Sequence, residues 1–296
     1  LTRGVLKIIL KALTNEIDVL KTLPLEVRVP APATTPPAPR WRRSAAVGWS
    51  LLALGLVLFA WQVLTAGTGL ISPNTFPTPL EVGAALRQIN LEGYANALLY
   101  EHVLRSVLLV TMGFVVASSI GVGLGLAMGA SRTVEALANP VFLLLRPIPP
   151  LAWIPLAIVW FGLGDAAKIM VIFFAAFVPS VINSFTGVRQ IDRPIFEAGA
   201  MLGVTGLRHW REVLIPGALP SIFTGLRLSL QAAWTTLVAA ELVGAVAGLG
   251  QILNQASQDI YPAMIVVGMA SVALCGWLMT LGLGWIERRV MPWRAR

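Results

Sequence analysis

Few residues of this 296-residue chain combine a type and a spacing that could do chemistry. No Gly-x-x-x-x-Gly-Lys-Ser/Thr loop is present, so that route to ATP hydrolysis is closed. Gly121-Val-Gly-Leu-Gly125 imitates part of a dinucleotide fingerprint but sits in an apolar stretch with no strand before it. Gly121, Gly125 and Gly129 are four residues apart and share one helix face, which suits close helix packing. The two histidines, His102 and His209, lack metal-ligand spacing. The single cysteine, Cys275, excludes an internal disulfide or a multi-cysteine metal site. No Ser/His/Asp set can be assembled. The chain is predicted to be no enzyme and to hold no metal or cofactor.

Two other features ask for a role. Arg146 falls near the middle of a predicted membrane span, beside Pro147, Pro149 and Pro150. Ionisable groups at that depth are costly and face a cavity or a partner. Its planar fork suits an anion on a translocation path; the alternative is a structural ion pair with Glu241. Arg227 also falls within a span, and the sequence offers it no clear partner. Trp153, Trp160, Trp234, Thr235 and Glu241 are candidate path residues, with ordinary packing as the competing reading for the tryptophans. The second feature is Glu197-Ala-Gly-Ala-Met-Leu-Gly203. Asp192 is placed to cap a helix starting near Pro194, and Gly203 to end it with a positive φ. Such a helix presents small and apolar residues, Ala198, Met201 and Leu202, beside the acid Glu197. It suits a groove on a partner, or else the lipid headgroup layer.

The elements that must position these residues are membrane spans. Hydrophobic residues make up 56% and charged residues 12% of the chain, and mean hydropathy is +0.77. A soluble domain carries about twice that charge. About 20 apolar residues cross the hydrocarbon layer as a helix. Six stretches qualify: 47–66, 103–130, 134–161, 166–188, 218–243 and 261–285. The third is interrupted by its prolines. Thr78 and Pro79 look like an N-cap and first residue of a short helix between the first two spans. With both termini cytoplasmic, 17 of the 22 Lys and Arg fall on the cytoplasmic side. Only Arg87, Arg105 and Lys168 fall outside, with Arg146 and Arg227 within spans. Topology thus explains the net charge of +8, and nucleic acid is not needed as a partner. Before the spans, residues 1–29 read as a cytoplasmic amphipathic helix, without the apolar core and cleavage site of a signal peptide. Residues 30–43 are a Pro-rich linker with a basic flank, and 44–296 form the membrane domain.

The pattern Glu197, Ala198, Gly203 and Pro216 resembles the signature of permease subunits of bacterial ABC importers, with Gly199, Val213 and Ile215 as small or apolar departures. Further runs resemble the sulfonate/nitrate/taurine branch of that family. They are Arg146-Pro-Ile-Pro-Pro-Leu-Ala-Trp-Ile-Pro155, Trp160-Phe-Gly-Leu-Gly164, Pro216-Gly-Ala-Leu-Pro220 and Trp234-Thr-Thr-Leu-Val-Ala-Ala-Glu241. The resemblance covers roughly residues 45–294. It implies an all-α membrane protein of six transmembrane helices, with a cytoplasmic coupling helix between spans four and five. Glu197, Ala198, Gly199, Ala200, Met201, Leu202, Gly203 and Pro216 would then dock the ATPase. The implied partners are a second copy of the chain, two cytoplasmic ATPase subunits that hold ATP and Mg, an extracytoplasmic substrate-binding protein, and the bilayer of the bacterial inner membrane. The implied cargo is taurine or another alkanesulfonate. Nitrate, bicarbonate or a vitamin precursor are alternatives within the same machinery, and a stand-alone intramembrane enzyme or channel is the alternative outside it.

Overall fold

The computed structural model describes residues 49, 52–53, 55–67, 76–244 and 247–295. The chain divides into two units, Leu1–Gly55 and Leu56–Arg296. The amphipathic helix and linker expected over 1–43 lie outside the described residues, as do residues 47, 48, 50, 51 and 54 of the first span.

Within the second unit the elements are helical, apart from one isolated bridge between Tyr94 and Ala97. The short apolar helix α1 (Gly55–Ala66) leads to α2 (Pro79–Leu91). Thr78 starts α2 as expected. Its hydroxyl accepts from the Glu81 N–H at 3.2 Å, and the Glu81 carboxylate accepts from the Thr78 N–H at 2.8 Å, so two orphan donors of the first turn are satisfied reciprocally. Then follow α3 (Leu99–Ala130), α4 (Arg132–Leu145), α5 (Ile154–Phe161), α6 (Asp165–Arg189) and α7 (Arg193–Met201). Next are α8 (Gly206–Val243), a short α9 (Leu249–Gln258) and α10 (Pro262–Val290).

Helices α3, α6, α8 and α10 are each long and apolar enough to cross a membrane. The stretch expected as one third span is instead two helices, α4 and α5, bent by 84°. The prolines between them cannot donate backbone hydrogen bonds and force the break. The fifth span begins earlier than expected. Helix α8 runs from Gly206 through a π-turn at Trp210–Leu214, so Pro216 lies inside a helix rather than at the end of a loop.

The core is built on α6, with α3 on one side and α8 on the other. Glycine makes these approaches possible. A Cβ on Gly121 would sit 2.8 Å from the Ser180 Cβ, and one on Gly125 2.5 Å from the Val181 carbonyl oxygen. On the other side a Cβ on Gly225 would meet the Asn183 Cβ at 2.5 Å. The expected glycine face of α3 is therefore a packing face. Buried serines join the same three helices: the Ser180 and Ser229 hydroxyls lie 2.8 Å apart, and Ser229 donates to the Ala176 carbonyl at 2.7 Å. Small residues and interhelical hydroxyls are what holds helices together where lipid removes the hydrophobic drive.

Candidate coupling and translocation sites

Helix α7 forms where expected, with one correction. Asp192 occupies the N-cap, but its side chain makes no cap bond; its backbone carbonyl accepts from the Ile195 N–H at 3.1 Å. At the other end Gly203 takes φ +71°. The Leu202, Gly203 and Val204 N–H groups donate back to the carbonyls of Ala198, Ala200 and Gly199, closing the helix as a left-handed glycine allows. One face of α7 is anchored. Phe196 packs beside Leu214, Ala218 and Ile222 and meets the His209 ring at 5.6 Å. Gly199 is buried, and a Cβ there would lie 3.2 Å from Val213. The opposite face is bare. Glu197, Ala198 and Ala200 are exposed, and Met201 and Leu202 are 83% and 80% exposed. Two large apolar side chains held that far out on a fixed helix are unusual unless something covers them.

The residues proposed for the path do not form one cluster. Arg146 sits at the C-terminal cap of α4 and is exposed. The ion pair weighed against its path role, with Glu241, is absent, because Glu241 is engaged elsewhere. Trp153, in the turn before α5, stacks on Phe174 with centroids 4.0 Å apart. Trp160 on α5 is exposed. Trp234 and Thr235 lie together in mid-α8: Trp234 is buried, and Thr235 is exposed with its hydroxyl donating to the Gln231 and Ala232 carbonyls. Arg227, for which the sequence offered no partner, pairs with Glu287 on α10. The two are 60 residues apart, so no local spacing could have revealed them.

Glu241 is completely buried. Its carboxylate accepts from the Ser106 hydroxyl at 2.8 Å and from the Gly250 N–H at 2.7 Å. Ser106 in turn accepts from the Leu249 N–H at 2.9 Å. The Nδ1 of His102 accepts from the Gly248 N–H at 2.9 Å, and its Nε2 faces the Tyr94 carbonyl at 2.9 Å. Three successive N–H groups at the start of α9, which have no helical partner of their own, are thus capped by side chains of α3 and α8. Gly248 and Gly250 leave room for this clamp: a Cβ on Gly248 would collide with the Glu241 carboxylate, and one on Gly250 would lie 2.6 Å from the Glu241 Cβ. His102 and Ser106 are four apart on one face of α3, the only local signal for it. Nearby, Tyr94 donates to Asp259 at 2.5 Å. Desolvation, then the bond to Asp259 and its charge, push the Tyr94 phenol well above its ordinary pKa.

The architecture is thus a body of long apolar helices, four of them among the described residues long and apolar enough to cross a membrane, that holds out one short, half-apolar helix. The family described as "Binding-protein-dependent transport system inner membrane component" matches residues 117–296. The chain is 36% identical to the taurine transport system permease protein of Escherichia coli (strain K12), over 86% of this chain and 92% of that one. It is 33% identical to a Bacillus subtilis (strain 168) permease protein provisionally named for aliphatic sulfonates transport, over 83% and 88%. A bicarbonate transport system permease protein of Synechococcus elongatus is 31% identical over 79% and 86%. The solved inward-facing MetNI methionine ABC transporter, CY5 native crystal form, shares the fold with TM-score 0.54 and 24% identity, over 65% of this chain and 95% of that one.

The chain belongs to this family: it is a multi-pass membrane permease of a binding-protein-dependent ABC importer. It is not itself an enzyme and has no cofactor of its own, since ATP is bound by a partner ATPase. Membership also implies a substrate-binding protein as the second kind of partner.

Proposed function

We propose that two copies of this chain form the translocation path for a small organic anion, taurine or another alkanesulfonate. Helix α7 passes the motion of a cytoplasmic ATPase into that path. The observation that carries the coupling role is the pair Met201 and Leu202, held 83% and 80% exposed on a helix whose other face is buried. A docked ATPase groove is the partner that covers such a face. Both termini and α7 lie on the cytoplasmic side in this reading, and Arg87 and Arg105 on the other. Alternating access is then rigid-body motion of the spans, driven from α7.

The taurine and sulfonate relatives support the cargo. Arg146 fits the same chemistry. It is exposed at a proline-broken bend, where freed backbone groups are tolerated only against protein or a water-filled cavity. In proteoliposomes holding the chain, its ATPase and its binding protein, we expect saturable taurine uptake that needs both ATP and the binding protein. Arg146→Ala lowers that uptake with the complex still assembled, and Arg146→Lys restores it in part, because a point charge lacks the planar fork. Uptake of bicarbonate or nitrate with none of taurine overturns the cargo reading.

A further inference from the structure

Between α8 and α10 lies a cavity of about 240 Å³ lined by Arg227, Leu228, Leu230, Gln231, Trp234, Thr235, Gly276 and Thr280. It has room for about eight waters at roughly 30 Å³ each, more than a two-carbon sulfonate needs. Its walls are mainly apolar, with a few polar groups, as in sites that take small organic ligands. The cavity runs along α10 from Gly276, at the helix's middle, toward the C-terminal end, where Arg227 meets Glu287.

We propose that this cavity is a sulfonate subsite, the anionic head beside Arg227 and Gln231 and the alkyl body along Leu230 and Trp234. The proposal deepens the alkanesulfonate reading above and rests on it. Arg227 supplies the charge. Its guanidinium carries five N–H donors, and the single carboxylate of Glu287 leaves donors over for a second anion. The Glu287 pair also holds the fork in place, toward the C-terminal end of α10, where a Cβ on Gly284 would stand 3.9 Å from its Nη2. Trp234 supplies the second argument. The indole is 4% exposed and its Nε1–H has no partner among the described residues. A buried unpaired donor costs free energy, and an acceptor-only sulfonate moving past the indole toward Arg227 removes that cost. The indole edge faces Gly276, where a Cβ would stand 3.8 Å from Trp234 Cδ1, so slight parting of α8 from α10 brings the N–H to the cavity. Thr235 and Thr280 donate to their own helices, to the Gln231, Ala232 and Gly276 carbonyls. Their oxygens keep lone pairs for an ammonium group such as the one taurine carries.

The test uses charge-selective labelling of the assembled permease–ATPase complex in nanodiscs. In a Cys275→Ala background, Thr235→Cys is treated with ethylsulfonate methanethiosulfonate, which carries a sulfonate, and with its trimethylammonium analogue of similar size. Rates are normalised to each reagent's reaction with a free thiol. The sulfonate reagent is expected to react at least about tenfold faster, and added taurine to slow it. Arg227→Gln removes the preference, and Trp234→Phe reduces it by about tenfold, the loss of one hydrogen bond to a charged group. Thr280→Cys replaces Thr235→Cys if the latter fails to assemble. Equal rates, a faster cation, no protection by taurine, or no labelling because lipid tails fill the cavity each overturn the subsite. Wild-type uptake separates the two claims. Sulfonate-selective labelling in a complex that transports no sulfonate overturns the cargo reading instead.

Discussion

Glu241→Ala tests whether the buried clamp at the start of α9 holds the permease together. The substitution removes the acceptor of two groups whose protons have no other acceptor among the described residues, the Gly250 N–H and the Ser106 hydroxyl. Both are sealed from water, so each carries a penalty of about 1–3 kcal/mol. The sum, about 2–6 kcal/mol, is large against the stability of folded domains generally. At roughly 2–4 °C per kcal/mol for a chain near this size, the midpoint should fall by about 4–24 °C. Glu241→Gln should cost less. Its amide oxygen still accepts from Gly250 and no cavity opens, although the Ser106 hydroxyl proton and one amide N–H then lack acceptors. Ser106→Ala strands the Leu249 N–H and should couple with Glu241→Ala, the double variant costing less than the two singles added. The assay is thermal unfolding of the purified permease–ATPase complex at one scan rate, with amide exchange at Gly248, Leu249 and Gly250 as the local readout. A Glu241→Ala midpoint within about 1 °C of wild type, with protection at these three amides unchanged, would refute the reasoning.

Gly125→Leu should abolish folded complex, because its Cβ would lie 2.5 Å from a backbone carbonyl, whereas Gly123→Ala on the same helix, with nothing within 4 Å, should hold or gain a few tenths of a kcal/mol; size-exclusion yield separates them. Glu197→Lys and Leu202→Asp should leave the unfolding midpoint within about 2 °C, as exposed substitutions do, yet uncouple ATP hydrolysis from uptake. Tyr94 should resist ionisation. Its folded pKa is raised, so the stability it contributes is intact below the unfolded value near 10 and is lost as pH rises through the higher folded value; ultraviolet titration of wild type against Tyr94→Phe reads this directly, and a difference spectrum already complete near pH 10 contradicts it.

The parts legible in the sequence are those set by local pattern. Apolar runs placed α3, α6, α8 and α10, and Thr78-Pro79 placed the start of α2. The four-residue glycine spacing on α3 marked the face that meets α6, and Gly203 marked the end of α7. What escaped is set by pairing across the bundle. Arg227 and Glu287 meet only because α8 and α10 pack together. Glu241 read as a path residue or a partner for Arg146, because nothing local shows that the turn after α8 folds back and brings the Gly250 N–H onto its carboxylate. The third span read as one segment because hydropathy counts residues and not directions, and the 84° bend follows from prolines whose effect on direction the count ignores. The prolines announced a break; its angle depends on what α5 packs against, including Ala167 and Val171 of α6.

The central claim is that α7 is covered by an ATPase and not by lipid. Its most direct test is photo-cross-linking from benzoylphenylalanine introduced at Leu202 in the assembled complex in native membranes. The account predicts an adduct with the ATPase subunit, formed with high yield and lost when Glu197→Lys is present in the same chain. Adducts with phospholipid alone, in a complex shown to contain the ATPase, would contradict it.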